Sequence, residues 1–129
     1  MAFERYKPRK RSSTYPLVTL GKAGIRFNNY CRKYIEGNPH CEIHYDRPKK
    51  ILGIKFVPEE SEYTFRILYY GKLSSWSVAC RRFLMDRGIM IECGIWKEPV
   101  RIRAEWDGER GMLVADLSGI ASEQKEKTG

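Results

Sequence analysis

Alternation of apolar and polar positions is the clearest pattern in the chain. From Ile51 to Val57, Leu52, Ile54 and Phe56 point one way and Gly53, Lys55 and Val57 the other, the period-two signature of a strand with one buried face. Residues 41–45 precede it across Asp46-Arg47-Pro48-Lys49, so the two predict a hairpin. Near the other end, Val100, Ile102 and Ala104 face inward and Arg101, Arg103 and Glu105 outward. Residues 112–117 form the second arm, with Asp107-Gly108 in the turn. Short strands are expected at 17–20 and 25–27, with a turn over 21–24, and a strand rich in aromatic and branched residues at 63–70.

Helical spacing is brief by comparison. Cys31, Tyr34 and Ile35 fall at i, i+3, i+4 in a predicted helix over about residues 29–36, which Asn28 caps and Gly37-Asn38-Pro39 ends. A second helix is predicted from a Ser77 cap through Arg87, with Ala79, Cys80, Phe83 and Leu84 as its apolar face and Gly88 as its stop. Residues 89–96 carry strand character and stand outside this pattern.

Part of the chain is written twice. Asn28-x-x-Cys31-Arg32-Lys33-Tyr34-Ile35 recurs about 49 positions later as Ser77-x-x-Cys80-Arg81-Arg82-Phe83-Leu84. An aromatic precedes each copy, Phe27 and Trp76, and a Gly-Lys pair precedes that, Gly21-Lys22 and Gly71-Lys72. The acidic break at 58–62 separates the copies. The expected architecture is α+β: two β-β-α-β-β repeats, 15–58 and 63–117, packed as one compact β-rich pseudo-dimer with short helices. Residues 1–14 are expected to be a basic flexible arm and 118–129 a flexible polar tail.

Composition narrows the class. The 129 residues are 42% hydrophobic and 31% charged, as in a globular domain. No apolar run approaches the roughly 20 residues that span a bilayer, and no apolar stretch follows the charged N-terminus, so the expected location is cytoplasmic, with reduced thiols. The net charge of +8 favours an anionic partner. Part of that charge lies in the N-terminal arm, in Arg9, Lys10 and Arg11 among others.

The β-β-α-β-β order, Leu20-Gly21-Lys22, the strand Ile25-Arg26-Phe27, the helical pair Arg32-Lys33 and the alternating hairpin together resemble the AbrB/SpoVT-type swapped-hairpin DNA-binding domain. Gly71-Lys72, Arg81-Arg82 and residues 112–117 repeat the resemblance in the second half. It departs from that family in lacking a proline at either helix start, and Ser74-Ser75 replace Ile25-Arg26 in the second copy. In the family two chains interleave their hairpins, and basic residues near the turn and helix contact DNA. The resemblance therefore implies a DNA-binding role for Lys22, Arg26, Arg32, Lys33, Lys72, Arg81 and Arg82. The arm residues Arg9, Lys10 and Arg11 join them as candidate phosphate or minor-groove contacts.

Other chemistry is sparse. Cys41 and His44 fall on opposite faces of a strand, and the chain has no CxxC, so no metal is expected. Cys31 and Cys80 read as buried free thiols. His40 and His44 near Glu42 and Asp46 read as a solvated polar face, and no nucleophile elbow, phosphate loop or dinucleotide fingerprint is present. Trp76 matches Phe27 and reads as core, whereas Trp96 and Trp106 are candidates for exposure. The expected protein is not an enzyme and has no cofactor. It is a transcription-regulator-like protein on duplex DNA, or else a duplicated protein-interaction module, antitoxin-like or a structural subunit. Oligomeric state and target stay open.

Overall fold

A computed structural model describes residues 14–71 and 75–120. The strands are β1 (Leu17–Leu20), β2 (Gly24–Phe27), β3 (His40–Asp46), β4 (Ile51–Val57), β5 (Thr64–Tyr70), β6 (Ser75–Ala79), β7 (Val100–Arg103), β8 (Glu105–Asp107) and β9 (Met112–Asp116). A 3-10 turn (Asn29–Cys31) leads into α1 (Arg32–Ile35), and α2 (Arg81–Asp86) and α3 (Ile89–Glu92) follow β6. The described residues therefore form an α+β, β-rich fold with short helical segments.

All nine strands among the described residues are antiparallel to their neighbours and form one sheet in the order β7-β1-β2-β6-β5-β3-β4-β9-β8. Its first and last members, β7 and β8, are separated only by Ala104. One continuous stretch thus pairs with β1 at one sheet edge, Leu17 opposite Arg103, and with β9 at the other, Glu105 opposite Val114. The sheet curls into a nearly closed barrel, which hides the unpaired edges a flat sheet would present.

The pairing is interleaved. Apart from their own hairpins, β1 and β2 pair with β7 and β6, and β3 and β4 pair with β5 and β9. The hairpin β1–β2 makes no ladder with the hairpin β3–β4, although they are consecutive in the chain. The exposed link over 58–63 joins β4 to β5.

Alternating side chains fill the interior. Val18, Leu20, Ile25, Leu52, Ile54, Val78, Leu113 and Ala115 are buried, and Phe27 of β2 meets Phe56 of β4 edge-on at 5.4 Å. Burying one such side chain contributes roughly 1.5–3 kcal/mol. The helical segments sit at the two barrel ends. At one, Tyr34 of α1 stacks on Trp106 of β8 at 4.4 Å. At the other, Phe83 of α2 meets Tyr45 edge-on at 6.2 Å, and Lys50 Nζ reaches Glu92 of α3 at 2.7 Å.

Several expectations are corrected. Ser77 is no helix cap; it lies in the middle of β6, between Trp76 and Val78, and the second helix begins at Arg81. Pairing of β6 with both β2 and β5 fixes this stretch as strand, and the capping propensity of serine yields to two ladders. Ala79 is accordingly an exposed strand residue and not part of a helix face. Residues 89–92 form α3, not a strand, because Ile89 and Met90 bury against the barrel end. Asn28 makes no side-chain cap. Its Oδ1 accepts from the Leu17 amide at 3.1 Å and its Nδ2 donates to the Tyr15 carbonyl, which ties the end of β2 to the start of β1. Tyr34 and Phe83 are half-buried.

Candidate nucleic-acid interface

The predicted basic residues that the structure describes are all exposed. Lys22 stands in the β1–β2 turn, Arg26 in the middle of β2, Arg32 and Lys33 on α1, and Arg81 and Arg82 on α2. Lys72, Arg9, Lys10 and Arg11 lie outside the described residues, as does the expected flexible arm.

The two helical pairs flank one strand ladder. The Arg32 guanidinium lies over the ring of Trp76, near the start of β6, at 5.7 Å. Arg81 begins the helix that follows Ala79 at the end of β6. Arg26 lies between them, opposite Ser77 across the β2–β6 ladder. Lys33 Nζ sits 3.9 Å from the centre of the Tyr30 ring, so aromatic faces hold this cation while leaving its charge uncompensated.

The fold adds three arginines that sequence reasoning did not select. Arg66, Arg101 and Arg103 are exposed, and their chain neighbours Ile67 and Ile102 are buried, so the arginines point out of the barrel. Strand register places Arg101, Thr19, Arg26, Ser77 and Leu68 in one cross-strand row. The alternation of residues 100–105 had already turned Arg101 and Arg103 outward. What it lacked was the neighbour, since β7 joins β1 across more than half the chain.

Charge is thereby divided around the barrel. The five adjacent strands β7, β1, β2, β6 and β5 carry four arginines and no carboxylate. The remaining strands carry Glu42, Asp46, Glu105, Asp107 and Asp116 against the single cation Lys55. The ion pairs among the described residues are His44–Glu42, Lys50–Glu92 and Arg110–Asp107. None engages an arginine of the basic face.

The other candidate groups are placed elsewhere. Cys41 is buried and His44 exposed, on opposite sides of β3, and His44 Nε2 meets Glu42 Oε1 at 3.1 Å on the outer face. Burial pushes the Cys31, Cys41 and Cys80 thiols up to about 12 and Cys93 to about 11. Among the described residues no three His, Cys, Asp or Glu side chains gather as metal ligands. Nor is any described helix long and apolar enough to cross a membrane. Trp76 is buried, whereas Trp96 and Trp106 are partly exposed.

No family model matches the chain, and neither a curated protein nor a solved structure is detectably similar to it.

Proposed function

We propose that this protein binds DNA through the arginine-bearing side of its barrel, as a transcription-regulator-like protein without enzymatic activity. The observation that carries the reading is the division of charge: four arginines and no carboxylate on five adjacent strands, with carboxylates gathered on the rest. Such a one-signed surface attracts a polyanion and orients it, with phosphate contacts supplying affinity and register. Arg32, Lys33, Arg81 and Arg82 extend the surface at both ends of the β2–β6 ladder.

The same reading includes an internally duplicated, swapped-hairpin origin of the AbrB/SpoVT kind. Its support is the strand order. Exchanging β1, β2, β3 and β4 with β5, β6, the β7–β8 stretch and β9 leaves the circular order unchanged. Like strands meet like at β2–β6 and β4–β9, as expected about a twofold axis.

The test is salt-dependent binding to random duplex DNA. Wild type is expected to bind at about 50 mM salt with a steep slope of log affinity against log salt. Replacing Arg26, Arg66, Arg101 and Arg103 by alanine should reduce that slope by about 0.9 for each phosphate that is no longer neutralised. The Arg32, Lys33, Arg81 and Arg82 quadruple variant tests the helical pairs in the same way. Absence of wild-type binding at low salt, or an unchanged slope in both variants, refutes the proposal.

A second reading, a protein-interaction module, has its own observation. Met85, Ile91 and Trp96 are all largely exposed on the α2–α3 segment and the turn after it. A partner bound there is expected to lose affinity on Ile91→Ser while the basic-face variants leave it unchanged.

A further inference from the structure

The basic side of the barrel is not smooth. A depression of about 340 Å³ opens between the β1–β2 turn, β2, β6 and β5. Lys22 and Arg26 line one side, Leu68 and Tyr70 of β5 the other, with Ser77 between them and Pro99 at the rim. Its volume lies at the low end of the range that small-molecule sites occupy, about 300–1,000 Å³.

The lining has two chemistries side by side. Lys22 and Arg26 are exposed cations. Leu68 and Tyr70 are 42% and 47% exposed, which is unusual for large apolar side chains next to one another on alternate positions of a strand. Neither is needed by the core, since the opposite face of this strand is served by buried Ile67 and by Tyr69, whose ring leans on Trp76 at 5.1 Å. A cationic wall facing an aromatic and aliphatic wall suits a ligand with an anionic group and a flat apolar face. A nucleotide has both. In a duplex the base faces are covered by stacking, so a depression of this kind serves a base that has left the stack.

We infer that this depression holds one unpaired nucleotide, its base against Tyr70 and Leu68 and its phosphate between Lys22 and Arg26. Ser77 supplies a hydroxyl that can donate to or accept from the base edge. The inference rests on the proposed nucleic-acid binding and adds a substrate class to it: single-stranded or locally opened nucleic acid is held by a contact that intact duplex does not make.

The experiment measures fluorescence anisotropy of a labelled twelve-residue oligodeoxythymidylate and of a twelve-base-pair duplex with wild type, Tyr70→Ala, Tyr70→Phe and Arg26→Ala. Tyr70→Ala is expected to weaken single-strand binding about tenfold or more, the usual effect of removing one base-stacking ring. It should leave the single-strand salt slope unchanged and the duplex affinity within about twofold. Tyr70→Phe should retain single-strand affinity, because the ring and not the hydroxyl does the stacking. Arg26→Ala should reduce the single-strand salt slope by about 0.7. Equal effects of Tyr70→Ala on both probes, or no effect on either, overturn the nucleotide site while leaving the phosphate-binding reading intact. If wild type binds neither probe at low salt, both fall together. Far-UV circular dichroism of Tyr70→Ala checks that weaker binding is not unfolding, and Tyr70→Phe keeps the result decisive if it is.

Discussion

The amide of Ala104 donates a hydrogen bond to the carbonyl of Pro16 at 3.0 Å. This contact lies where the chain passes from β7, paired with β1, to β8, paired with β9, and so marks the seam of the barrel. Ala104 is 1% exposed, so its side chain fills the interior at the same point. Ala104→Pro removes the donor and strands the Pro16 carbonyl. The expected cost is about 1–3 kcal/mol, that of an unsatisfied buried polar group. Urea denaturation measures it, and hydrogen exchange should show β1 and β7 opening first.

Gly24 faces the backbone of β6 directly. A Cβ there would lie 1.9 Å from the Val78 carbonyl oxygen and 2.9 Å from the Cys80 amide nitrogen. Rigid backbone on both sides cannot yield as a flexible side chain would. Gly24→Ala is expected to cost more than about 3 kcal/mol, among the largest single-site effects. Gly37 provides the contrast: its φ of +82° is left-handed, but nothing lies within 4 Å of an added Cβ. Gly37→Ala should cost only the backbone term, about 1–2 kcal/mol. Equal midpoints for the two variants in thermal melts would contradict the packing argument.

Stability should fall in alkali because of the thiols. Burial holds Cys31, Cys41 and Cys80 near 12, against an ordinary value of 9.0. The unfolded chain releases these protons first. The thiol contribution is therefore full below about pH 9 and is lost as pH rises from there toward 12. Urea midpoints at pH 8 and pH 10 measure the decline, and Cys41→Ala should make it shallower. A thiol-specific reagent at pH 8 should react only as fast as the protein opens.

Cutting the chain within residues 58–63 should leave the fold standing. Every residue of this link is exposed, and none of them pairs in a ladder, whereas four ladders join the strands before it to those after it. Separated under denaturant, neither piece should refold alone. The two hairpins of each half do not pair with one another, and an isolated hairpin is marginal in water. Mixing the pieces should restore the native circular dichroism spectrum. Independent folding of residues 14–60 would refute the interleaved pairing.

Much of the local structure was legible in the sequence. The strand at 51–57 follows from alternation, as does that expected at 100–105, which the structure divides at Ala104, and Leu52, Ile54, Phe56, Ile102 and Ala104 are buried as their parity requires. Cys31 and Cys80 are buried, and Cys41 and His44 do take opposite sides of β3. The misreadings have a common origin. Ser77 and residues 89–92 have ambiguous local preferences, and long-range partners settled them: two flanking strands in the first case and the barrel end in the second.

Of the candidate site, the sequence by itself determined which cations stand exposed, because burying an unpaired charge is too costly to leave the choice open. Arg26, Arg32, Lys33, Arg81 and Arg82 needed no fold to be placed at the surface. Only the tertiary structure decided which of them share a side, and that Arg66, Arg101 and Arg103 join them while Glu42, Glu105 and Asp116 do not. The reason is physical. Side-chain direction along a strand is a local property with a period of two residues, whereas the neighbour of each strand is fixed by packing between segments far apart in the chain.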